Sequence, residues 1–300
     1  MIYTVTFNPS LDYSIQVDNF QVGQLNRIDT ESILVGGKGV NVSVVLSRMG
    51  IPNIALGFIA GFTGDYIESG MKELGCETDF IRLPAGFSRI NVKLQSGLET
   101  EINGKGPVIQ EKELSQLMMR LEKLKAGDTL VLAGSIPASV PQDIYEQILD
   151  KVDTEKIQVV VDATSFLLRR TLAYHPYLIK PNLQELSELF SRPLSEFDDI
   201  VCCAQHLQEE GARNVLVSMG ARGALLVTEA GHVLAAPAPA GDVVDTIGAG
   251  DSMVAGFLAG YMERGSYVDA FRKGIAAGSA TAFTAGLATH AQITELSQRI

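Results

Sequence analysis

The feature that most constrains this chain is a regular exchange of short β-branched runs with longer segments of helical period. Thr129–Ala133, Gln158–Asp162, Tyr177–Lys180 and Asn214–Ser218 are apolar runs of buried-strand type. Around them lie Glu111–Lys125, Gln142–Lys151, Leu183–Phe190 and Phe197–Gly211, which carry apolar residues at helix spacing among charges. Strands with no polar face must be covered on both sides, so the pattern predicts a mostly parallel sheet flanked by helices. Ala224–Thr228 and His232–Ala235, joined through Glu229–Gly231, predict a hairpin. From Ser252 onward the chain reads as helix, broken near Gly265 and Gly286. No repeat, low-complexity segment or long linker interrupts the series, so one domain over residues 1–300 is expected.

Composition narrows the function. With 46% apolar and 20% charged residues this is an ordinary globular chain. Its net charge of -11 argues against nucleic-acid binding, which needs a basic footprint. Any anionic ligand must therefore meet locally concentrated cations. Three cysteines make no disulfide framework, and Cys202 and Cys203 fall in a helical pattern as small hydrophobes. No CxxC or HExxH motif suggests zinc. The N-terminus MIYTVTFNPS reads as strand and turn, without the basic region of a signal peptide. No apolar stretch reaches the about 18 residues of a membrane span, so a soluble cytoplasmic protein with no membrane partner is expected.

Two stretches change period. Asp12–Phe20 and Ser88–Gly104 alternate, as half-covered strands do. In the second, Ile90, Val92 and Leu94 point one way and Arg89, Asn91 and Lys93 the other. This is either a strand with a solvated polar face or part of an accessory sheet that closes over an anion.

Ligands of open parallel sheets bind beyond the carboxyl ends of the strands. Here those ends lead into Gly134-Ser135-Ile136-Pro137, into Asp162, into Lys180-Pro181-Asn182 with Glu185 one turn on, and into Ser218-Met219-Gly220. Each is ordinary loop chemistry alone; together they outline a crevice. The sharpest motif is Asp245-Thr246-Ile247-Gly248-Ala249-Gly250-Asp251, followed by the apolar helix Ser252–Tyr261. Glycines before a helix let backbone N–H groups converge on an anion, and the helix N-terminus adds partial positive charge. Asp251 is then either a common first-turn helix charge or a carboxylate base beside an anion hole, a pairing that suits phosphoryl transfer. Gly36-Gly37-Lys38-Gly39-Val40-Asn41 opens a second helix, Val42–Met49, with donors at Lys38 and Asn41. Asp12, in the turn after the first strand, could accept hydrogen bonds from a polyol.

These two glycine-rich motifs, in this order near opposite ends of the chain, resemble the two signatures of the ribokinase-like (PfkB) family of carbohydrate kinases. The resemblance extends over essentially the whole chain. It implies a three-layer α/β/α fold with a mostly parallel central sheet, and a small β lid built from about residues 12–35 and 88–107. Thr6–Tyr13, Arg89–Leu94, Thr100–Pro107 and Leu132–Pro137 are most similar to the branch that phosphorylates the 6-hydroxyl of fructose 1-phosphate. The branch acting on tagatose 6-phosphate shares much of this and is the alternative, as is a catalytically silent sugar-phosphate sensor.

The resemblance implies ATP and Mg2+. It implies Asp251 as catalytic base and Gly248, Ala249 and Gly250 as the anion hole. Asp12, Gly37, Lys38 and Asn41 resemble the sugar-contacting set, with Asn91 and Ser135 beside them and Arg27, Arg89 and Lys93 for the sugar phosphate. Asn182 and Glu185 match an Asn-x-x-Glu motif that governs magnesium, largely through water. Lys180, Ser218, Gly220 and Gly223 would line the nucleotide loop, and Ala277 and Ser279 the adenine-side helix. It also implies a homodimer through the lid. Arg27, Lys38, Arg89, Lys93 and Lys105 all fall on the expected lid or sugar loop, which suits a phosphorylated acceptor better than a neutral one.

Overall fold

In the computed structural model, which describes residues 1–300, buried strands carry apolar side chains to both faces of one sheet. In chain order the elements are β1 (Ile2–Thr6), β2 (Ser10–Gln16), β3 (Thr30–Gly36), α1 (Lys38–Arg48), β4 (Asn53–Ile59), α2 (Gly61–Glu73), β5 (Glu77–Arg82), β6 (Arg89–Ser96) and β7 (Leu98–Asn103). There follow α3 (Glu111–Leu121), β8 (Thr129–Ala133), α4 (Ile144–Leu149), β9 (Gln158–Asp162), α5 (Ser165–Thr171), β10 (Leu178–Ile179), α6 (Leu183–Leu189), α7 (Phe197–Glu209) and β11 (Asn214–Ser218). The chain ends with β12 (Ala224–Val227), β13 (Val233–Ala236), α8 (Ala249–Arg264), α9 (Tyr267–Ala282) and α10 (His290–Ser297).

The main sheet has nine strands in the order β13-β12-β11-β10-β9-β8-β1-β4-β5. All pairs are parallel except β11 with β12 and β12 with β13. Successive side chains of a strand face opposite ways. Leu130 and Leu132 accordingly join the core under α3–α7, while Val131 and Ala133 join the core under α1, α8, α9 and α10. Both faces are dry, which is why these strands read as continuous apolar runs. No helix is long and apolar enough to cross a membrane.

The lid is a separate four-stranded sheet, β3-β2-β6-β7. Its register sets Ser10 opposite Arg89, Asp12 opposite Asn91 and Ser14 opposite Lys93, so the polar side chains share one face. Tyr13 stands opposite Val92 and Ile15 opposite Leu94 on the other. The expected strands differ in their ends. Residues 12–20 become β2, which stops at Gln16 because Asn19 turns through the left-handed region (φ 55°). Ser88–Gly104 is a hairpin reversed at Gly97. The apolar face is also less bare than expected. Leu94 is already buried within one chain, and Ile90 packs on the cluster that holds Ile67 and Met71 of α2. Ile33, Leu98 and Ile102 stay exposed on this face.

The longest helices, α8 and α9, lie against each other. Gly256 is what permits this: a Cβ there would come within 2.5 Å of the Lys273 carbonyl oxygen and 2.7 Å of Ala277 Cβ. Gly265, in the left-handed region (φ 62°), then ends α8, as glycine commonly does. This packing sets where the N-terminus of α8 points. Gly256→Val is expected to destabilise the protein by about 1–3 kcal/mol, the usual cost of overpacking. A lower denaturant midpoint with an unchanged slope would show it, whereas an unaltered midpoint would mean the helices part freely.

Candidate active site

The carboxyl ends of β10 and β11, the N-termini of α1 and α8 and the lid's polar face enclose a cavity of about 940 Å³. It is the crevice expected from the strand ends, closed on one side by the lid. Helix α8 begins at Ala249, a turn earlier than its apolar run suggests, because Gly248 takes up a left-handed N-cap conformation (φ 75°). The N–H groups of Gly248, Gly250 and Asp251 have no hydrogen-bond partner in the protein. They form, with the helix dipole, a ready site for an anion.

Asp251 sits in the first turn of α8 and is buried. Asn41 of α1 donates its Nδ2 hydrogen to Asp251 Oδ2 at 2.7 Å. Burial, and secondarily the negative charge of Asp162, push the Asp251 carboxyl up to about 6, against the pull of Lys38, Asn41 and Lys180. Beneath it lies Asp162, the last residue of β9 and wholly buried. Its Oδ1 is 2.8 Å from Lys38 Nζ and its Oδ2 3.5 Å from Lys180 Nζ. Burial would raise its pKa, but Lys180 and Lys38 outweigh that and hold it below the usual carboxylate range. Burial also opposes the charge on Lys38, yet Asp162 chiefly, with Asp251 and Glu185, holds its pKa above the ordinary lysine value. Lys38 reaches this position because Gly37, at φ 115°, turns the chain into α1.

On the lid, both oxygens of Asp12 are engaged. Its Oδ1 accepts from Ser10 Oγ at 2.7 Å and Asn91 Nδ2 at 2.9 Å, and its Oδ2 lies 2.9 Å from Lys93 Nζ. Arg89 donates Nε to the Asn8 carbonyl at 2.9 Å, which leaves its terminal nitrogens without a protein partner. Burial lowers its pKa, with Asp12 opposing. Arg89 is thus the one cation lining the cavity that has no acidic partner.

Most of the expected residues line this cavity: Asp12, Gly37, Lys38, Asn41, Arg89, Asn91, Lys93, Lys180, Asn182, Ser218, Gly220, Gly223, Gly248, Ala249, Gly250, Asp251 and Ser279. Five do not. Arg27 is exposed on the loop between β2 and β3, where Asn26 and Gln21 hydrogen-bond locally. Ser135 and Lys105 are exposed outside the cavity. Ala277 faces inward, buried in the core between α8 and α9. Glu185 is turned back on its own helix: Asn182 N–H donates to Glu185 Oε2 and Glu185 N–H donates to Asn182 Oδ1, both at 2.8 Å, a capping box. The expected pool of free cations shrinks accordingly, since Lys38 and Lys93 each face a carboxylate. Asp162, placed by sequence only among the strand ends of the crevice, lies behind the cavity wall and pairs with Lys38 and Lys180, a contact that its place at the end of an apolar run does not reveal. Ser10, Glu101 and Asn103 also line the lid side.

A buried carboxyl with its pKa raised to about 6, an anion site of free amides and two lysines lie around one cavity, an arrangement that suits phosphoryl transfer to a hydroxyl. The chain matches the description "pfkB family carbohydrate kinase" over residues 5–294 and belongs to that family. It is 44% identical over 296 residues to a 1-phosphofructokinase of Bacillus subtilis, covering 99% of this chain and 97% of that one. To a D-tagatose-1-phosphate kinase of Bacillus licheniformis it is 40% identical over 303 residues, covering 100% and 98%. The fold superposes on phosphofructokinase-2 from Escherichia coli, solved in complex with substrates and products, with a TM-score of 0.94 at 28% identity over 99% and 98% of the two chains. The fold is ribokinase-like, as expected.

The raised pKa fixes the sign of the pH response. Below about pH 6 Asp251 is protonated and cannot take a proton from a hydroxyl. kcat/KM for sugar phosphorylation is therefore expected to fall about tenfold per pH unit below that point. An acid limb centred near the ordinary carboxylate range, about pH 4, would show that Asp251 is not the titrating base.

Proposed function

We propose that the protein is an ATP-dependent kinase that phosphorylates the 6-hydroxyl of fructose 1-phosphate, giving fructose 1,6-bisphosphate and ADP. The observation that carries this reading is Arg89. Its guanidinium, alone among the cavity's cations without an acidic partner, stands on the lid, whereas the base and the free amides belong to the N-terminus of α8. An acceptor with a phosphate at one end and a reacting hydroxyl at the other fits between them. Charge-assisted hydrogen bonds to a phosphate are among the strong ones.

In this reading the acceptor's other hydroxyls meet the lid network around Asp12 and Asn91. Asp251 accepts the proton of the 6-hydroxyl as its oxygen attacks the γ-phosphorus, and the bond to ADP breaks. The N–H groups of Gly248, Gly250 and Asp251, with Lys180, carry the charge on the transferring group. ATP takes the side lined by Ser218, Gly220, Gly223 and Ser279. Mg2+ would fit the donor set there, since it needs few protein oxygens, and it would supply positive charge to the ATP phosphates. No group of three or more His, Cys, Asp or Glu side chains could hold it alone. Glu185 Oε1, which makes no hydrogen bond, and Asn182 are the residues that would meet its water shell.

The alternative acceptor becomes tagatose 1-phosphate rather than tagatose 6-phosphate, since one relative's name carries that substrate. It is the C4 epimer of fructose 1-phosphate and places phosphate and reacting hydroxyl alike. ADP release would be measured with fructose 1-phosphate, tagatose 1-phosphate, fructose 6-phosphate and tagatose 6-phosphate. Fructose 1-phosphate is expected to have the highest kcat/KM; a preference for a 6-phosphate would sink the assignment. Arg89→Ala is expected to raise KM for the sugar phosphate about tenfold or more, the worth of a charged hydrogen bond, and to change KM for ATP much less. If only the ATP constant moves, the acceptor's phosphate is held elsewhere.

The exposed Ile33, Leu98 and Ile102 on the outer lid face suit the same surface of a second copy. Sedimentation at micromolar concentration is expected to give a dimer, with Ile102→Asp shifting it to monomer. A monomeric wild type would refute this assembly.

A further inference from the structure

Asp162 does not line the cavity, yet two of the cavity's four cations depend on it. Lys38 comes from the first turn of α1 and Lys180 follows β10, so the two lysines arrive from separate parts of the chain. They converge on opposite oxygens of one carboxylate, Lys38 on Oδ1 at 2.8 Å and Lys180 on Oδ2 at 3.5 Å. Asp162 Oδ2 makes no hydrogen bond, so its tie to Lys180 is ionic. Lys180 Nζ also reaches the mouth of α8, 3.1 Å from where a Cβ on Gly250 would stand.

A lysine is a point charge on a flexible stem, and two ammonium groups in one pocket repel. Without an anion between them, neither would keep a set position. Removing about 1 Å of positional accuracy can cost a hundredfold in rate. As a device for stability alone, a buried ion pair is a poor choice, because desolvation offsets its attraction. We propose that Asp162 is a positioning residue that holds Lys38 and Lys180 at a fixed separation beside Asp251, so that both ammonium groups bear on the phosphoryl group in transfer. The inference rests on reading Asp251 and the α8 N-terminus as the phosphoryl-transfer site.

The groups that face Asp251 are Asp162 from β9, Lys38 and Asn41 from α1, and Lys180 after β10. Asp162→Asn keeps the side chain's shape but removes the negative charge. Losing that charge removes the repulsion by which Asp162 raises the Asp251 pKa, so the acid limb of kcat/KM moves to lower pH. The readout that a passive structural role would not give is the split, a loss confined to kcat that shrinks in the Lys38→Met background.

The test is steady-state kinetics across pH for the wild type and Asp162→Asn, with thermal unfolding to establish that the variant is folded. The expected result is a loss in kcat of about thirtyfold or more, KM values for ATP and sugar phosphate within about threefold of wild type, and an acid limb at lower pH. A folded variant with kcat within threefold of wild type overturns the proposal. So does a loss with an unmoved acid limb, or one fully restored by excess Mg2+, which would make Asp162 a metal-side residue. Should Asp162→Asn fail to fold, Lys38→Met is compared with Lys38→Met/Asp162→Asn, which carries one fewer charge of each sign. Acting through the lysines, Asp162→Asn then costs about fivefold or less in that background, and a full thirtyfold further loss overturns the proposal. Failure of Asp251→Asn to lose turnover would remove the underlying reading instead. An active wild type beside a fully active Asp162→Asn sinks this inference alone.

Discussion

Two carboxylates buried close together cannot both be ionised unless cations and hydrogen-bond donors reach them, and this requirement organises the centre of the molecule. Asp162 and Asp251 occupy one floor. Lys38, Lys180 and Asn41 are the groups that compensate them. The compensation is uneven: Asp162 takes the direct ion pairs and stays ionised, while Asp251 takes one amide and is left near neutral pKa. Environments that push two acids apart in this way leave one as a fixed charge and the other able to exchange a proton near neutral pH.

That separation depends on the packing far from the cavity. Asp162 stands at the end of a strand buried on both faces, which gives it no solvent to turn toward. Asp251 is placed by α8, whose course follows from its close contact with α9. The lid adds the opposite charge pattern. Its carboxylate, Asp12, is fully engaged by Ser10, Asn91 and Lys93, and this leaves Arg89 as the uncompensated cation over the cavity. A protein of net charge -11 thus keeps one free side-chain cation over the cavity while Lys38, Lys93 and Lys180 are paired with carboxylates.

Much of this was legible in the chain itself. The runs Thr129–Ala133, Gln158–Asp162 and Asn214–Ser218 form strands at those residues, because burial on both faces leaves no alternation to misread. The lid's two faces follow from period two in β6, and Gly248 to Asp251 mark an anion site through glycine and helix chemistry that is local to the motif. Roles that rest on contact with distant residues were not legible. Glu185 and Asn182 satisfy each other as a capping box, Ala277 faces a helix instead of the cavity, and Arg27 lies on a loop whose course local spacing does not set.

The sequence by itself determined the sheet, its covering helices, the two glycine-rich turns and the polar stripe of the lid, because periodicity and glycine placement act over a few neighbouring residues. The tertiary structure alone decided which charges are free. Lys38 meets an aspartate 124 positions away and Asn41 one 210 positions away. Such pairings are settled by how strands and helices stack, and with them go the pKa of Asp251 and the availability of Arg89. Charge compensation in a low-dielectric interior depends on distance in space, which the order of residues does not carry.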